Sequence, residues 1–390
     1  MQIGLFGFGT VGQGFYQILS AQNGAAPGRV VKICIRNPAK PRSIAPEFFT
    51  TNPNDILADP QIRYIVEATD SLSEAYDWTR RALLAGKTVV SANKAMLSRF
   101  LPALLQAERE GGGRLLHEAA ACGSIPIFRQ LRQFYRHDEV CCLEGVFNGT
   151  TNYILNQMSD NASPLEDALA RAQAAGYAES DPSSDLQGAD PAAKLSLLTA
   201  RAFGLLLPPD MILRLGISQI LPEDIAFAAT RGRRVRLLNR AERVGEGRAI
   251  CAWTLPAMIG PSSPYYELPD AYNIVRVSSR HLGEMTFSGK GAGGAPTGYA
   301  VLSDVSDDTP AGMHPVLQAA VLDYGRVLNV YVRARQSVRE DFFADPPQEE
   351  RISSAGRQWV GAVSLGRLSE ALPALVAEGG FAAVWPDASL

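Results

Sequence analysis

The chain opens with "QIGLFGFGTVGQGFYQIL", in which a short apolar run ends in Gly7, Gly9 and Gly12, spaced as GxGxxG, and an apolar helical stretch follows at once. No other feature restricts the fold as much. An isolated GxGxxG is a weak signal, but here it sits between strand and helix, and the β-spaced segment "RVVKICIR" follows it, so it opens a dinucleotide-binding βαβ unit. The glycines let a pyrophosphate approach backbone N–H groups at the helix start, where partial positive charge accumulates. The alternative is a glycine-rich structural turn.

The alternation continues through "RYIVEAT", "SEAYDWTRRALLAG", "KTVVSAN", "KAMLSRFLPALLQAERE" and "RLLHEAA". Strands alternating with helices predict an α/β fold with a doubly wound parallel sheet, whose ligands lie at the carboxyl ends of the strands. Ser91, Asn93 and Lys94 then fall beside the dinucleotide, as does the stretch from Glu118 to Ser124. Past the second strand, where an acidic residue would accept from a ribose 2′-OH, the chain has Arg36 and Asn37, with Lys40 and Arg42 beyond. A cationic fork matches a 2′-phosphate, which favours NADP(H) over NAD(H); a solvated basic loop is the alternative.

Composition narrows the partners. The 390 residues carry a formal net charge of -3 and no Lys/Arg block, so neither nucleic acid nor an anionic membrane is favoured and a small molecule is expected. Five scattered cysteines without a CxxC pair, beside four histidines, point to neither a disulfide framework nor zinc. No apolar run approaches the roughly 20 residues of a membrane span and no cleavable leader precedes the first strand, so the expected location is the cytoplasm.

In the middle of the chain, "SPLEDALARAQAAGYAE" reads as a helix with Ser163 as N-cap, Pro164 in the first turn, Glu166 completing a capping box and Gly176 as stop. Glu179, Asp181 and Asp185 follow, and "GADPAAKLSLLTARAFG" gives a second helix from Pro191 to Gly204. Asp190 before a proline looks like an N-cap, and Lys194 one turn later like its ion-pair partner. The core-facing Leu195, Leu197 and Leu198, and the surplus of carboxylates around a single lysine, also permit an acid/base site. The segment by itself leaves both readings open.

Six stretches, in order, resemble the homoserine dehydrogenase family: "GFGTVG", "AGKTVVSANKAML", "HEAAACGSIPI", "GVFNGTTNYIL", "AGYAESDPSSDLQGADPAAKL" and "GKGAGGAPTGYAVLSD", which together span roughly residues 1 to 305. The resemblance implies NAD(P)-dependent interconversion of L-homoserine and L-aspartate 4-semialdehyde, a step of threonine and methionine biosynthesis. It implies that Lys194 exchanges the substrate proton, that Lys94 is a second active-site lysine, and that Glu179 and Asp190 bind homoserine, Glu179 through the α-ammonium. Asp185 and Thr150 line the same site. Gly7, Phe8, Gly9, Thr10, Val11, Gly12, Arg36, Ser91, Lys94, Gly176, Gly291 and Gly293 fall where the family contacts the dinucleotide. A monovalent cation such as sodium would be held by Glu118 and the carbonyls of Ala121, Gly123 and Ile125; an ordinary buried acid is the other reading of Glu118. The chain departs from the family at Gly123-Ser124, where a Gly-Gly pair is usual, and at Cys122, which replaces a smaller residue.

The expected organisation is a Rossmann domain over 1–135 and a substrate-binding and dimerisation domain over 136–290 with a mainly antiparallel sheet from "RVRLLNRAER", "RAICAWTLPAMI", "YNIVRVSS" and "LGEMTFSG". A segment over 291–330 returns to the first domain, and an extension over 331–390 is either a shortened ACT-like regulatory unit or structural packing. A homodimer is expected. Two rival functions keep the glycine motif: another amino-acid-linked NAD(P) oxidoreductase on the same scaffold, and a non-catalytic NADPH-binding sensor.

Overall fold

A computed structural model describes residues 1–22, 26–307, 314–335 and 342–386. Glu340 and Asp341, which begin the Pro/acid-rich stretch of the tail, lie outside the described residues. The chain forms two compact units: Met1–His137 with Ser196–Gly204 and Gly289–Leu317, and Asp138–Leu195 with Leu205–Ser288 and Gln318–Leu390. Against the boundaries at 135, 290 and 330 expected from the sequence, the chain crosses between units at 137, 288 and 317, with 196–204 as an additional excursion.

The first unit holds a six-stranded sheet in the order Phe49–Thr50, Arg29–Cys34, Gln2–Phe6, Ile62–Glu67, Thr88–Ser91, Arg114–Leu116, with every pairing parallel. Strand order reverses at Gln2–Phe6, so the carboxyl ends of this strand and of Ile62–Glu67 flank the point where such sheets bind ligands. Ile3, Leu5, Val66 and Val90 are buried in one cluster with Phe15 and Leu19 of the helix Thr10–Ser20, as expected for strands covered on both faces. That cluster also takes in Ala300, Val301 and Val305 of the helix Gly294–Val305. The two helices touch backbone to backbone: a Cβ at Gly14 would overlap the Gly294 carbonyl oxygen, and one at Gly298 would sit 2.5 Å from Phe15 N. The glycine-rich "GAGGAPTG" thus serves helix packing, because only glycine admits this approach.

The second unit is built on a mixed sheet in which Val140–Val146 pairs antiparallel with Tyr272–Ser279 and with Arg234–Arg243, and the latter pairs antiparallel with Ala249–Ile259. Three of these strands are legible in the sequence, as is Gly283–Lys290 at the edge beside Tyr272–Ser279; Val140–Val146 is not. Beyond Ala249–Ile259 the sheet continues into the tail, in the order Phe381–Val384, Val327–Ala334, Gly356–Ser364, Glu349–Ser353. The helices Gly149–Asn161, Leu165–Ala174, Pro222–Ala229 and Leu365–Ala377 add to this unit, and one core cluster runs from Val146 to Val384.

Two local expectations are corrected. Ser163 does not cap the helix Leu165–Ala174, whose N-cap is Pro164 with no side-chain acceptor; the Ser163 hydroxyl instead donates to Gln157 O at 3.2 Å and accepts from Arg171 at 2.5 Å. Asp190 is not an N-cap either, since the helix begins at Ala189 and runs to Phe203, so Asp190 lies inside the first turn. No helix among the described residues is long and apolar enough to cross a membrane.

Candidate active site

The first strand ends at Phe6 and the backbone swings through Gly7, at φ +88°, whose N–H donates to Cys34 O at 3.0 Å. A side chain there would be strained by conformation and would meet Ala68 O at 2.5 Å. Gly9 is the N-cap of the helix Thr10–Ser20, without a side-chain acceptor for the first-turn N–H groups, and nothing lies within 4 Å of where its Cβ would be. Open space over uncapped donors, with Val11 and Gly12 in the same turn, is what a pyrophosphate needs. Phe8 is held edge-on by Tyr16 and Phe49. Gly293, at φ +116°, precedes the helix Gly294–Val305, while Gly291 is buried.

Past the second strand, Arg42 donates to Lys40 O and Asn37 O and lies over the Phe49 ring, so it holds the basic loop in shape. Arg36 is exposed and pairs with Glu74 at 3.0 Å. Such an exposed pair is weak and leaves the guanidinium available to a stronger anion.

At the end of the strand Thr88–Ser91 the reading of Ser91 changes. Ser91 is fully buried; its hydroxyl donates to Glu67 at 2.7 Å and accepts from Asn93 N at 3.1 Å, so it shapes the turn and does not present a side chain to the dinucleotide. Asn93 caps the helix Lys94–Gly111 through Met96 N at 3.0 Å, which fixes Lys94, half-buried, as the first helical residue.

The resemblance gave Glu118 a cation; the structure gives its carboxylate another task. Its two oxygens accept from Phe128 N and Arg129 N, each at 2.8 Å, in the first turn of the helix Ile127–Gln133, and its own N–H donates to Asp304 at 2.7 Å. Each oxygen thus takes one backbone donor and keeps a further lone pair. The Ile125 carbonyl accepts from Ile127 N at 2.8 Å. Among the described residues no group of three or more His, Cys, Asp or Glu side chains could hold a metal ion. Cys122 and Gly123, at φ +59° and +58°, wind the intervening backbone, and Ser124 fits its departure from glycine by donating N–H and hydroxyl to Lys290 O.

Burial, and then mutual repulsion with Asp304, pushes Glu118 up to about 8, and burial pushes Asp304 up to about 7. Nearby, burial holds His117 down at about 3 and His314 at about 4. The signs oppose. The raised carboxyls stabilise the fold fully below about pH 4 and lose that contribution as pH rises through 7 to 8, whereas the depressed histidines cost stability as pH falls below about 6.5. Above pH 6.5 the carboxyl effect is uncompensated. The melting temperature is therefore expected to fall by a few degrees between pH 6.5 and 8.5, with Asp304→Asn flattening the fall; a melting temperature that rises over this range in both proteins would contradict the assignment.

In the second unit, the strand Val140–Val146 leads through Phe147 and Asn148 into the helix Gly149–Asn161. Asn148 Oδ1 caps that helix through Thr151 N at 2.8 Å, and Asn148 Nδ2 reaches Asp185 at 2.6 Å and Asp190 at 2.8 Å. Lys194 stands one turn after Asp190; its ammonium pairs with Asp190 Oδ2 at 2.8 Å and donates to Phe147 O at 2.7 Å. Both side chains are buried, Lys194 to 8% exposure and Asp190 to 5%. Among the described residues two of the three ammonium donors are thus engaged. Thr150 Oγ1 donates to Tyr177 O at 2.7 Å, tying the helix start to the turn after Gly176, which has φ +76°. Glu179 is exposed just beyond. Asp185 and Asp190 against one lysine leave net negative charge, which suits an ammonium-bearing substrate.

Residues 126–306 match the family described as "Homoserine dehydrogenase", and residues 7–118 match "Homoserine dehydrogenase, NAD binding domain". The homoserine dehydrogenase of Synechocystis is 35% identical over 344 residues, covering 84% of this chain and 79% of that protein. This chain belongs to the homoserine dehydrogenase family. The Bacillus subtilis homoserine dehydrogenase is 32% identical over 78% of the chain and 72% of its own length. Among solved structures, a homoserine dehydrogenase from Thiobacillus denitrificans superposes with a TM-score of 0.87 at 28% identity, covering all of this chain and 98% of that one. A hyperthermophilic archaeal homoserine dehydrogenase mutant in complex with NADPH gives a TM-score of 0.66 at 25% identity over 78% of this chain and 96% of that one. In this homoserine dehydrogenase, two polar residues escaped the sequence reading: Glu67, buried at a strand end, and Asn148, whose place before "GTTN" is an N-cap signal that could have found it.

Proposed function

We propose that, in the NAD(P)-dependent oxidation of a CH–OH group that this homoserine dehydrogenase performs, interconverting L-homoserine and L-aspartate 4-semialdehyde, Lys194 passes the proton at the substrate oxygen. The observation that carries this is its buried ammonium, fixed by Asp190 and Phe147 O. Asp190 orients Lys194, while Glu179 and Asp185 receive the α-ammonium and Thr150 and Gly176 shape the rim. When bound, the nicotinamide supplies or accepts the hydride; the chain supplies position and proton management. Lys94, at the carboxyl end of the nucleotide sheet, is the second lysine of the reaction. A direct test is nicotinamide absorbance with L-homoserine and NADP+, against a panel of other amino and hydroxy acids. Turnover confined to another substrate would replace this reading.

NADP(H) is the favoured cofactor because Arg36 stands where an acidic residue would select a ribose hydroxyl. Arg36→Ala is expected to weaken NADPH binding about tenfold or more relative to NADH, since a guanidinium–phosphate contact is lost. Equal losses for both cofactors, measured by fluorescence titration, would remove Arg36 from the phosphate. A monovalent cation would be held by Glu118 and by the carbonyl oxygens of Ala121, Gly123 and Ile125, bracing that turn. The tail has the strand order fourth, first, third, second, with the helix Leu365–Ala377 before its last strand, which fits an ACT-like unit; among the described residues no helix stands between its first two strands. A homodimer through the sheet of the second unit fits the exposed strand Gly283–Lys290; a monomeric mass by light scattering would argue against it. The free cysteines fit a cytoplasmic setting.

A further inference from the structure

We propose that Glu67 is a positioning residue for the dehydrogenase reaction, holding the turn that starts at Ser91 and ends at Lys94 in register with the glycine turn after the first strand. Glu67 ends the strand Ile62–Glu67, paired with Phe6 on one side and Ser91 on the other, where strand order reverses. It is fully buried. Its Oε1 accepts from Thr69 N at 2.9 Å and Thr69 Oγ1 at 2.6 Å, and its Oε2 accepts from Ser91 Oγ at 2.7 Å.

The two oxygens lead into different loops, Oε1 through Thr69 and Oε2 through Ser91. Through Ser91 Oγ, which accepts from Asn93 N, and through Asn93, which caps the next helix and donates to Ser71 O at 2.7 Å, the carboxylate fixes where Lys94 begins. Through Thr69 it fixes the segment against which Gly7 packs: a Cβ on Gly7 would meet Ala68 O at 2.5 Å and Thr69 Cγ2 at 2.9 Å. Burying a carboxyl group is costly, and here burial raises its pKa against the opposing pull of these hydrogen bonds. An apolar residue would close the sheet end at lower cost but would leave Ser91 Oγ and Thr69 N without their acceptor, and the two loops without a common anchor.

The inference rests on the reading of Lys94 as an active-site lysine. Glu67→Gln keeps an acceptor for Thr69 but turns the contact with Ser91 from acceptor to donor, and so alters the turn without emptying the site. In the full chain, with L-homoserine and NADP+, Glu67→Gln is expected to lower kcat by about tenfold or more, because displacements below 1 Å are costly in a positioned reaction. NADPH affinity should stay within about threefold and the melting temperature close to that of the parent. Ser91→Ala, which removes a single link of the chain, should lower kcat less. A kcat for folded Glu67→Gln within about twofold of the parent, or a loss that only follows the unfolded fraction, would overturn the proposal. Lys94→Met separates the two ideas: full activity in that variant sinks the reading of Lys94 itself, whereas an inactive Lys94→Met beside an unimpaired Glu67→Gln sinks Glu67 alone.

Discussion

Lys194→Ala should lose about 100- to 10,000-fold in kcat, with the KM for homoserine changed far less, as follows when a group needed for proton transfer is removed. The side chain is nearly out of solvent, pairs with Asp190 at 2.8 Å and touches Phe147 O at 2.7 Å, so its position is set before substrate arrives. Lys194→Arg should not restore activity, because a guanidinium neither yields its proton near neutrality nor fits the same space. Steady-state rates with both variants, alongside NADPH binding by fluorescence, decide the matter. Parent-like kcat in the alanine variant would take the acid/base role away from this residue.

Asn148→Asp is the second large effect. An aspartate caps a helix as well as asparagine does, so Thr151 N keeps its acceptor and the melting temperature should hold. The amide that reaches both Asp185 and Asp190 is gone, however, and a third carboxylate takes its place. Asp190 is repelled, Lys194 loses its fixed partner geometry, and kcat/KM is expected to fall by about a hundredfold. Asn148→Leu removes the cap as well and should cost about 1 kcal/mol of stability besides. An aspartate variant as active as the parent would show that the amide contacts are incidental.

The glycine run, the strand and helix alternation of the first unit and the i to i+4 pairing of Asp190 with Lys194 could be read from the sequence because each is local: spacing along the chain determines them. What stayed hidden was long-range. Glu118 caps a helix that starts nine residues later, and Asn148 reaches side chains roughly forty residues away. The strand Val140–Val146 was masked by Glu144, a charge in a fully buried position. Its carboxylate accepts from Arg276 at 2.7 Å and Tyr265 at 2.9 Å and pairs with Arg240, so a charge that reads as a surface residue in one dimension is satisfied in three. Ser91 stands at the strand end that its sequence position implies, with its hydroxyl turned inward to Glu67.

The tail strand Phe381–Val384 lies against Ala249–Ile259, and Arg333, one strand further out, is buried against Asp224 at 2.8 Å with Tyr331 sharing the same carboxylate. Leu328, Val330 and Trp359 belong to the same apolar cluster as Val235 and Trp253. The C-terminal segment is therefore no cassette that evolution or engineering can swap while leaving the remainder intact. Cutting it away would bare a row of ladder donors and acceptors and strand a carboxylate in oil, the combination that turns soluble sheets into sticky ones.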